Sequence, residues 1–225
     1  MGGTVTALVV QKRNKERVNV YLDGEFAFGL AMAEAMKLHE GQFLSEEEIA
    51  RLKVLDEIET AHEHALNFLS YRMRSINEVR ESLRRSKRQF SEAAIEATIE
   101  RLKQAGLLDD TAFAHFWIES RERFAPRSAR ALRYELRQKG VPDEVISAAL
   151  ADLDEEQAAL RAAESKVRRY AHAEEEDFRH RLGNYLLRRG FSRVIARNVL
   201  NQLWSDMTTQ ARTTATNDTD TDGEA

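Results

Sequence analysis

One hydrophobic pattern occurs three times along the chain. Phe90, Ile95, Ile99 and Leu102 stand at offsets 0, 5, 9 and 12, and so do Val141, Ile146, Leu150, Leu153 and Phe191, Ala196, Leu200, Leu203. The repeat distances are 51 and 50 residues. Apolar positions three and four apart line one side of a helix. Ahead of each set lies an apolar pair four apart, Val79 and Leu83, Leu132 and Leu136, Leu182 and Leu186. Between pair and set fall the polar breaks Ser86-Lys87-Arg88-Gln89, Gln138-Lys139-Gly140 and Arg188-Arg189-Gly190. Gly140 and Gly190 suit the left-handed conformation that ends a helix. A further helix precedes each pair, over Ala65–Tyr71, Thr111–Phe124 and about Glu156–Tyr170. Each unit is therefore three short helices, with units over 65–110, 111–155 and 156–206. A shared pattern with breaks at matching places marks a repeat architecture, and stacked repeats build an elongated, curved array.

The first 45 residues follow a different period. Val18-Asn19-Val20-Tyr21-Leu22 and Glu25-Phe26-Ala27-Phe28-Gly29-Leu30 alternate as strands about Asp23-Gly24, a type I′ hairpin signal. Thr4–Val10 adds a third strand through the turn Arg13-Asn14-Lys15, and Ala31–Leu38 reads as a helix closed by Gly41. Val18, Val20, Leu22, Phe26, Phe28 and Leu30 are expected on one face, which needs a helix to cover it. Ser45-Glu46-Glu47-Glu48 is a capping box that opens a helix running to about Tyr71, so 46–64 connects the module to the first repeat. Residues 207–225 hold no large apolar side chain after Met207 and read as a disordered acidic tail. The fold class is mainly α: three tandem three-helix repeats preceded by a small β-hairpin or three-stranded N-terminal module.

Composition narrows the function. Only two prolines and ten glycines in 225 residues favour helix over a large β-architecture. With no cysteine, thiol catalysis, disulfides and cysteine-held zinc are excluded. No apolar run approaches the roughly 20 residues that span a bilayer, and the N-terminus lacks a basic, then apolar, leader pattern. A cytoplasmic protein with no membrane contact is expected. The net charge of −4 divides into −5 over 1–64, +4 over 65–206 and −3 over 207–225. A mildly basic body between acidic ends suits an acidic or phosphate-bearing partner.

No catalytic constellation assembles, and no cofactor or metal is expected. His62-Glu63-His64 puts its histidines two apart, on opposite sides of a helix. His115, His172 and His180 have no ligand partner nearby in sequence, and Asp109-Asp110 reads as a helix cap. The arginines carry more information. Arg127, Arg130, Arg133 and Arg137, spaced 3, 3 and 4, form a stripe along the second helix of the middle unit. Arg84 and Arg88, with Arg80, Arg85 and Lys87, mark the first unit, and Arg188, Arg189, Arg193 and Arg197, with Arg179 and Arg181, the third. Arginine's planar fork engages two oxygens of a carboxylate or phosphate at once. Among Tyr71, Phe113, Phe116, Trp117, Phe124 and Tyr134, most are expected in the core, with Trp117 or Tyr134 as the exposed exceptions.

Three segments resemble the RecX family in order and spacing: Ala65–Ser75 with Glu78 and Leu83; Gly106-Leu107-Leu108-Asp109-Asp110 with Phe113-Ala114 and Arg121; and Pro126-Arg127 with Leu136–Val141. The resemblance spans about residues 60–206 and is strongest from 65 to 155. Tyr21–Phe26 is similar to the N-terminal extension of some members, and the third unit diverges most. Arg88-Gln89-Phe90 stands where a Lys-Gly pair is more typical. The resemblance implies tandem three-helix repeats and a regulator of the bacterial recombinase RecA. Such a regulator binds RecA chiefly as its filament on DNA, and suppresses filament growth, ATP hydrolysis, strand exchange and coprotease activity without catalysis of its own. A monomer with weak direct contact to single- or double-stranded DNA is expected. The alternative reading is a helix-turn-helix-like nucleic-acid-binding module that needs no RecA target.

Overall fold

The computed structural model describes residues 2–12, 14–170 and 173–219, with side chains placed through Thr209. The chain divides into two compact units, Met1–Asp109 and Asp110–Ala225.

The first unit begins with an antiparallel sheet of β1 (Gly3–Val10), β2 (Arg17–Leu22), β3 (Glu25–Ala31) and β4 (Phe43–Leu44), in the order β3-β2-β1-β4. The three expected strands are joined by a short fourth, β4. Its two residues pair with Gly3 and Thr4, too short a run to show a period. Asp23 and Gly24 have φ of 50° and 91°, the positive values a type I′ turn needs. Arg13, assigned to the turn before β2, lies outside the described residues.

Val18, Val20, Phe28 and Leu30 are buried together, but Phe26 is 59% exposed. The β2–β3 register explains the difference. Val20 pairs with Phe28 and Tyr21 with Phe26, so Ala27 is an extra residue on β3. One extra residue turns everything beyond it to the opposite face. Phe26 accordingly meets Tyr21 edge-on, with ring centroids 6.0 Å apart. The helix expected over Ala31–Leu38 is a single turn, α1 (Met32–Ala35).

The sheet is covered by α2 (Glu46–Leu69), a continuous 24-residue helix whose start is the Ser45/Glu48 capping box. Ile49 and Leu52 pack against the sheet core. A buried ion pair joins the same two elements. Arg17 Nη2 donates to both Asp56 oxygens at 2.8 and 2.7 Å, and Arg17 Nη1 donates to Thr60 Oγ1 at 2.9 Å. The C-terminal half of α2 becomes the first helix of repeat one, which continues with α3 (Ile76–Arg84) and α4 (Glu92–Gln104). Its core gathers Ala61, Ala65, Val79, Leu83, Ile95, Ile99 and Leu102.

The second unit holds α5 (Asp110–Phe124), α6 (Ala129–Gln138) and α7 (Asp143–Ala149), then α8 (Glu155–Val167) with a 3-10 turn at Arg168–Tyr170, α9 (Glu175–Arg188) and α10 (Arg193–Thr219). The repeat pattern maps onto equivalent burial: Ile99, Leu150 and Leu200 are 3%, 8% and 6% exposed. The residue before each pattern start is left-handed, Gln89 at φ 50°, Gly140 at 74° and Gly190 at 95°. Gln89 thus adopts the conformation without glycine, and the turn survives the departure at Arg88-Gln89.

Two expectations are corrected. α10 passes residue 206, where the tail was placed, and runs to Thr219; Met207 packs against the third core. No proline or glycine interrupts residues 191–219, so nothing in the chain stops the helix. Residues 220–225 of that tail lie outside the described residues. Of the six aromatics, only Phe113 is fully buried and Trp117 partly; Tyr71, Phe116, Phe124 and Tyr134 are exposed. A three-helix core admits one narrow stripe per helix, too narrow for six rings.

Candidate functional site

The four arginines read as a stripe behave differently from one another. Arg127 precedes α6, whose N-cap is Ser128. Its Nε lies 2.9 Å from Glu135 Oε1, although the N–H is not aimed along that line. Arg133 Nη1 donates to Ser147 Oγ at 2.9 Å. Arg137 makes a two-pronged pair with Asp143, 2.6 and 3.1 Å, across the turn to α7. That contact raises the Arg137 guanidinium above its ordinary pKa and lowers the Asp143 carboxyl below the usual range. Arg130 is exposed and has no ion pair among the described residues. The regular helical spacing therefore conceals, among the described residues, one free cation and three partnered ones.

The first repeat shows the same division. Arg84 grips Glu92 with Nε and Nη2 at 2.9 and 2.8 Å and also reaches Glu81, and these hydrogen bonds raise its pKa. Arg80 grips Glu96 likewise. Arg88 is exposed, with no side-chain partner among the described residues.

Glu135 escaped the sequence reading. Its carboxylate accepts Trp117 Nε1–H and Arg121 Nε–H, both at 2.8 Å, with Arg127 alongside. Arg121 and Lys139 sit 4.5 and 5.2 Å from the Trp117 ring centre. This half-buried knot ties α5 to α6. Its members are 18 and 14 residues from Glu135 in sequence, too far apart for helical periodicity to show.

The third repeat is least neutralised. Arg188, Arg193 and Arg197 are exposed without ion pairs among the described residues, and Arg189 lies 5.1 Å from the Tyr185 ring centre. Between α9 and α10 lies a groove of about 360 Å³. Gly183, Leu187, Ala196 and Leu200 line it, and Arg179, Arg193 and Arg197 stand at its edges. Arg179 is already held by Glu175 and Asn201. The readable signal for this groove was Gly183, a glycine inside a helix. A Cβ there would come 3.3 Å from Leu200 Cδ1. Mid-helix glycine costs about 1 kcal/mol relative to alanine, so its presence points to close packing.

His62 and His64 are half-buried; His64 meets Phe90 edge-on at 6.2 Å between centroids. Among the described residues no three His, Asp or Glu side chains converge on a metal position. His172 lies outside those residues. No helix there is long and apolar enough to cross a membrane.

Comparison with known proteins follows this modular plan. The family models match in chain order: the N-terminal domain of regulatory protein RecX at residues 3–44, and the first, second and third RecX three-helix domains at 61–102, 109–150 and 154–200. A regulatory protein RecX from Bacillus licheniformis is 32% identical over 193 residues, covering 84% of this chain and 73% of the relative. The chain belongs to the RecX family. One from Prosthecochloris aestuarii is 40% identical over 139 residues, 62% of this chain and 90% of the relative. A crystal structure of regulatory protein RecX superposes with a TM-score of 0.67 at 26% identity, covering 88% of this chain and 99% of that one. RecX from Lactobacillus salivarius gives a TM-score of 0.57 at 25% identity over 66% of this chain and 97% of that one. The family is one of regulatory proteins, and all four of its modules are present here.

Proposed function

We propose that this chain is a cytoplasmic, monomeric, non-catalytic regulator that binds the RecA recombinase, chiefly as its filament on DNA. It restrains filament extension, ATP hydrolysis, strand exchange and coprotease activity, and so moderates recombinational repair and the SOS response. The observation that carries this reading is the complete RecX module series, matched from residue 3 to residue 200. Arginines without carboxylate partners among the described residues supply the contacts: Arg88 in the first repeat, Arg130 in the second, and Arg188, Arg193 and Arg197 in the third. Arg84, through Glu92, spans the turn that carries Arg88; Arg133 and Arg137 tie α6 to α7, Arg127 stands beside Glu135, and Arg189 lies over the Tyr185 ring. Weak contacts on several repeats of one chain act at high effective concentration, so modest individual affinities suffice.

The test is RecA-dependent ATP hydrolysis on single-stranded DNA with increasing amounts of the protein, alongside binding to RecA-coated and naked single strands across a salt series. The rate should fall, and coated DNA should bind more tightly at every salt concentration. Equal binding to naked DNA with an unchanged rate would favour the nucleic-acid module instead. Such binding would fall steeply with salt, because it is driven by counterion release.

A further inference from the structure

The groove between α9 and α10 combines two features seldom found together on a charged surface. Its floor is aliphatic, from Gly183, Leu187, Ala196 and Leu200, and its α10 edge carries Arg193 and Arg197. Both arginines are exposed and lack carboxylate partners among the described residues, whereas Arg80, Arg84, Arg101, Arg137 and Arg179 are all paired. The first turn of α10 carries no acidic residue to offset them. Leu187, at 39% exposed, leaves part of its side chain to solvent at the floor.

We propose that this groove docks an acidic peptide segment of a partner protein. One aliphatic side chain of the segment would enter between Leu187 and Leu200, and two carboxylates would pair with Arg193 and Arg197. Those arginines are four apart on one helix, so their Cα atoms are separated by about 6 Å along the axis. Carboxylates two residues apart in an extended peptide span a similar distance. A nucleic-acid strand fits less well. Sequence-tolerant strand binding uses aromatic platforms for base stacking, and among the described residues no aromatic side chain lines the groove. The proposal does not depend on which protein supplies the segment.

The test uses the full chain and a fluorescein-labelled dodecapeptide of Asp and Glu with a central leucine, read by anisotropy at low salt. Controls are the same peptide with Leu→Ser and an oligothymidylate of equal charge. Expected is saturable binding of the leucine peptide, weakened at least tenfold by Leu→Ser, by Arg197→Glu and by Leu187→Glu. Both substituted positions are exposed, and far-UV circular dichroism of each variant should match the parent. The proposal is overturned if the leucine peptide binds no better than its serine counterpart, if neither variant weakens it, or if oligothymidylate displaces it with the Arg197 dependence retained and the leucine dependence lost.

Discussion

Gly190 backs directly onto Ser128: a Cβ on the glycine would fall 2.5 Å from Ser128 Oγ and 3.0 Å from Ala131 Cβ. Ser128 is the N-cap of α6, its hydroxyl accepting Ala131 N–H, and its own N–H donates to Arg189 O at 3.3 Å. The turn that ends α9 thus rests on the start of α6, joining the second repeat to the third. Glu155 adds to the joint by accepting Ala129 N–H, and Arg161 pairs with Glu122 at 2.6 Å. Modules this small bury too little surface to be stable alone, and such contacts supply part of the deficit.

Gly190→Ala should therefore cost more than a left-handed residue alone. The positive φ accounts for about 1–2 kcal/mol, and displacing Ser128 and Ala131 adds about 1–3 kcal/mol. Gly106, at φ 69°, has only open space within 4 Å of where a Cβ would stand, so Gly106→Ala should show only the first cost. Denaturant melts of the two variants check the difference. Equal losses would show that the Gly190–Ser128 contact yields without cost.

Asp56→Ala leaves the Arg17 guanidinium buried with Thr60 as its remaining partner, since the Arg17 and Asp56 side chains are 10% and 18% exposed. Removing one member of a buried pair typically costs about 3–5 kcal/mol. The expected loss in urea unfolding is at the lower end of that range, about 3 kcal/mol. Because Arg17 is on β2 and Asp56 on α2, exchange protection of the sheet amides should fall with it.

His62 should make stability depend on pH. Burial holds its pKa below the ordinary 6.5, and the Arg101 charge lowers it further. The folded state therefore binds this proton less readily than the unfolded chain. Its contribution is complete above pH 6.5 and is lost as pH falls through the depressed value. Melting temperatures between about pH 7.5 and 5 should decline more for the parent than for His62→Gln. Parallel curves would show that His62 titrates alike in both states.

Arg130→Glu with Arg133→Glu should weaken inhibition of RecA-dependent ATP hydrolysis at least about tenfold, which needs only about 1.4 kcal/mol. Arg130 has no internal ion pair among the described residues and Arg133 gives up one bond to Ser147, so helix content should hold. Full inhibition by the folded double variant at physiological salt would assign α6 to the solvated surface.

The three-helix repeats were legible from sequence because each core is built within about 50 residues. Val79 and Leu83, or Leu182 and Leu186, meet partners on the next helix of their own unit, so helical period and burial coincide. The capping box at Ser45 and the Asp23-Gly24 turn were legible for the same reason, being complete within four residues. Tertiary structure decided what depends on another segment's approach. The extra residue at Ala27 turned Phe26 outward, and only pairing with β2 reveals it. Pairing with Gly3 and Thr4 made Phe43 and Leu44 a strand. Along the same arginine stripe, Arg137 met Asp143 while Arg130 met no carboxylate among the described residues, because α7 begins beside one and not the other. Helical periodicity determines which side of a helix a residue occupies. The charges that face it come from elsewhere in the chain, and they decide whether an arginine is a brace or a free contact.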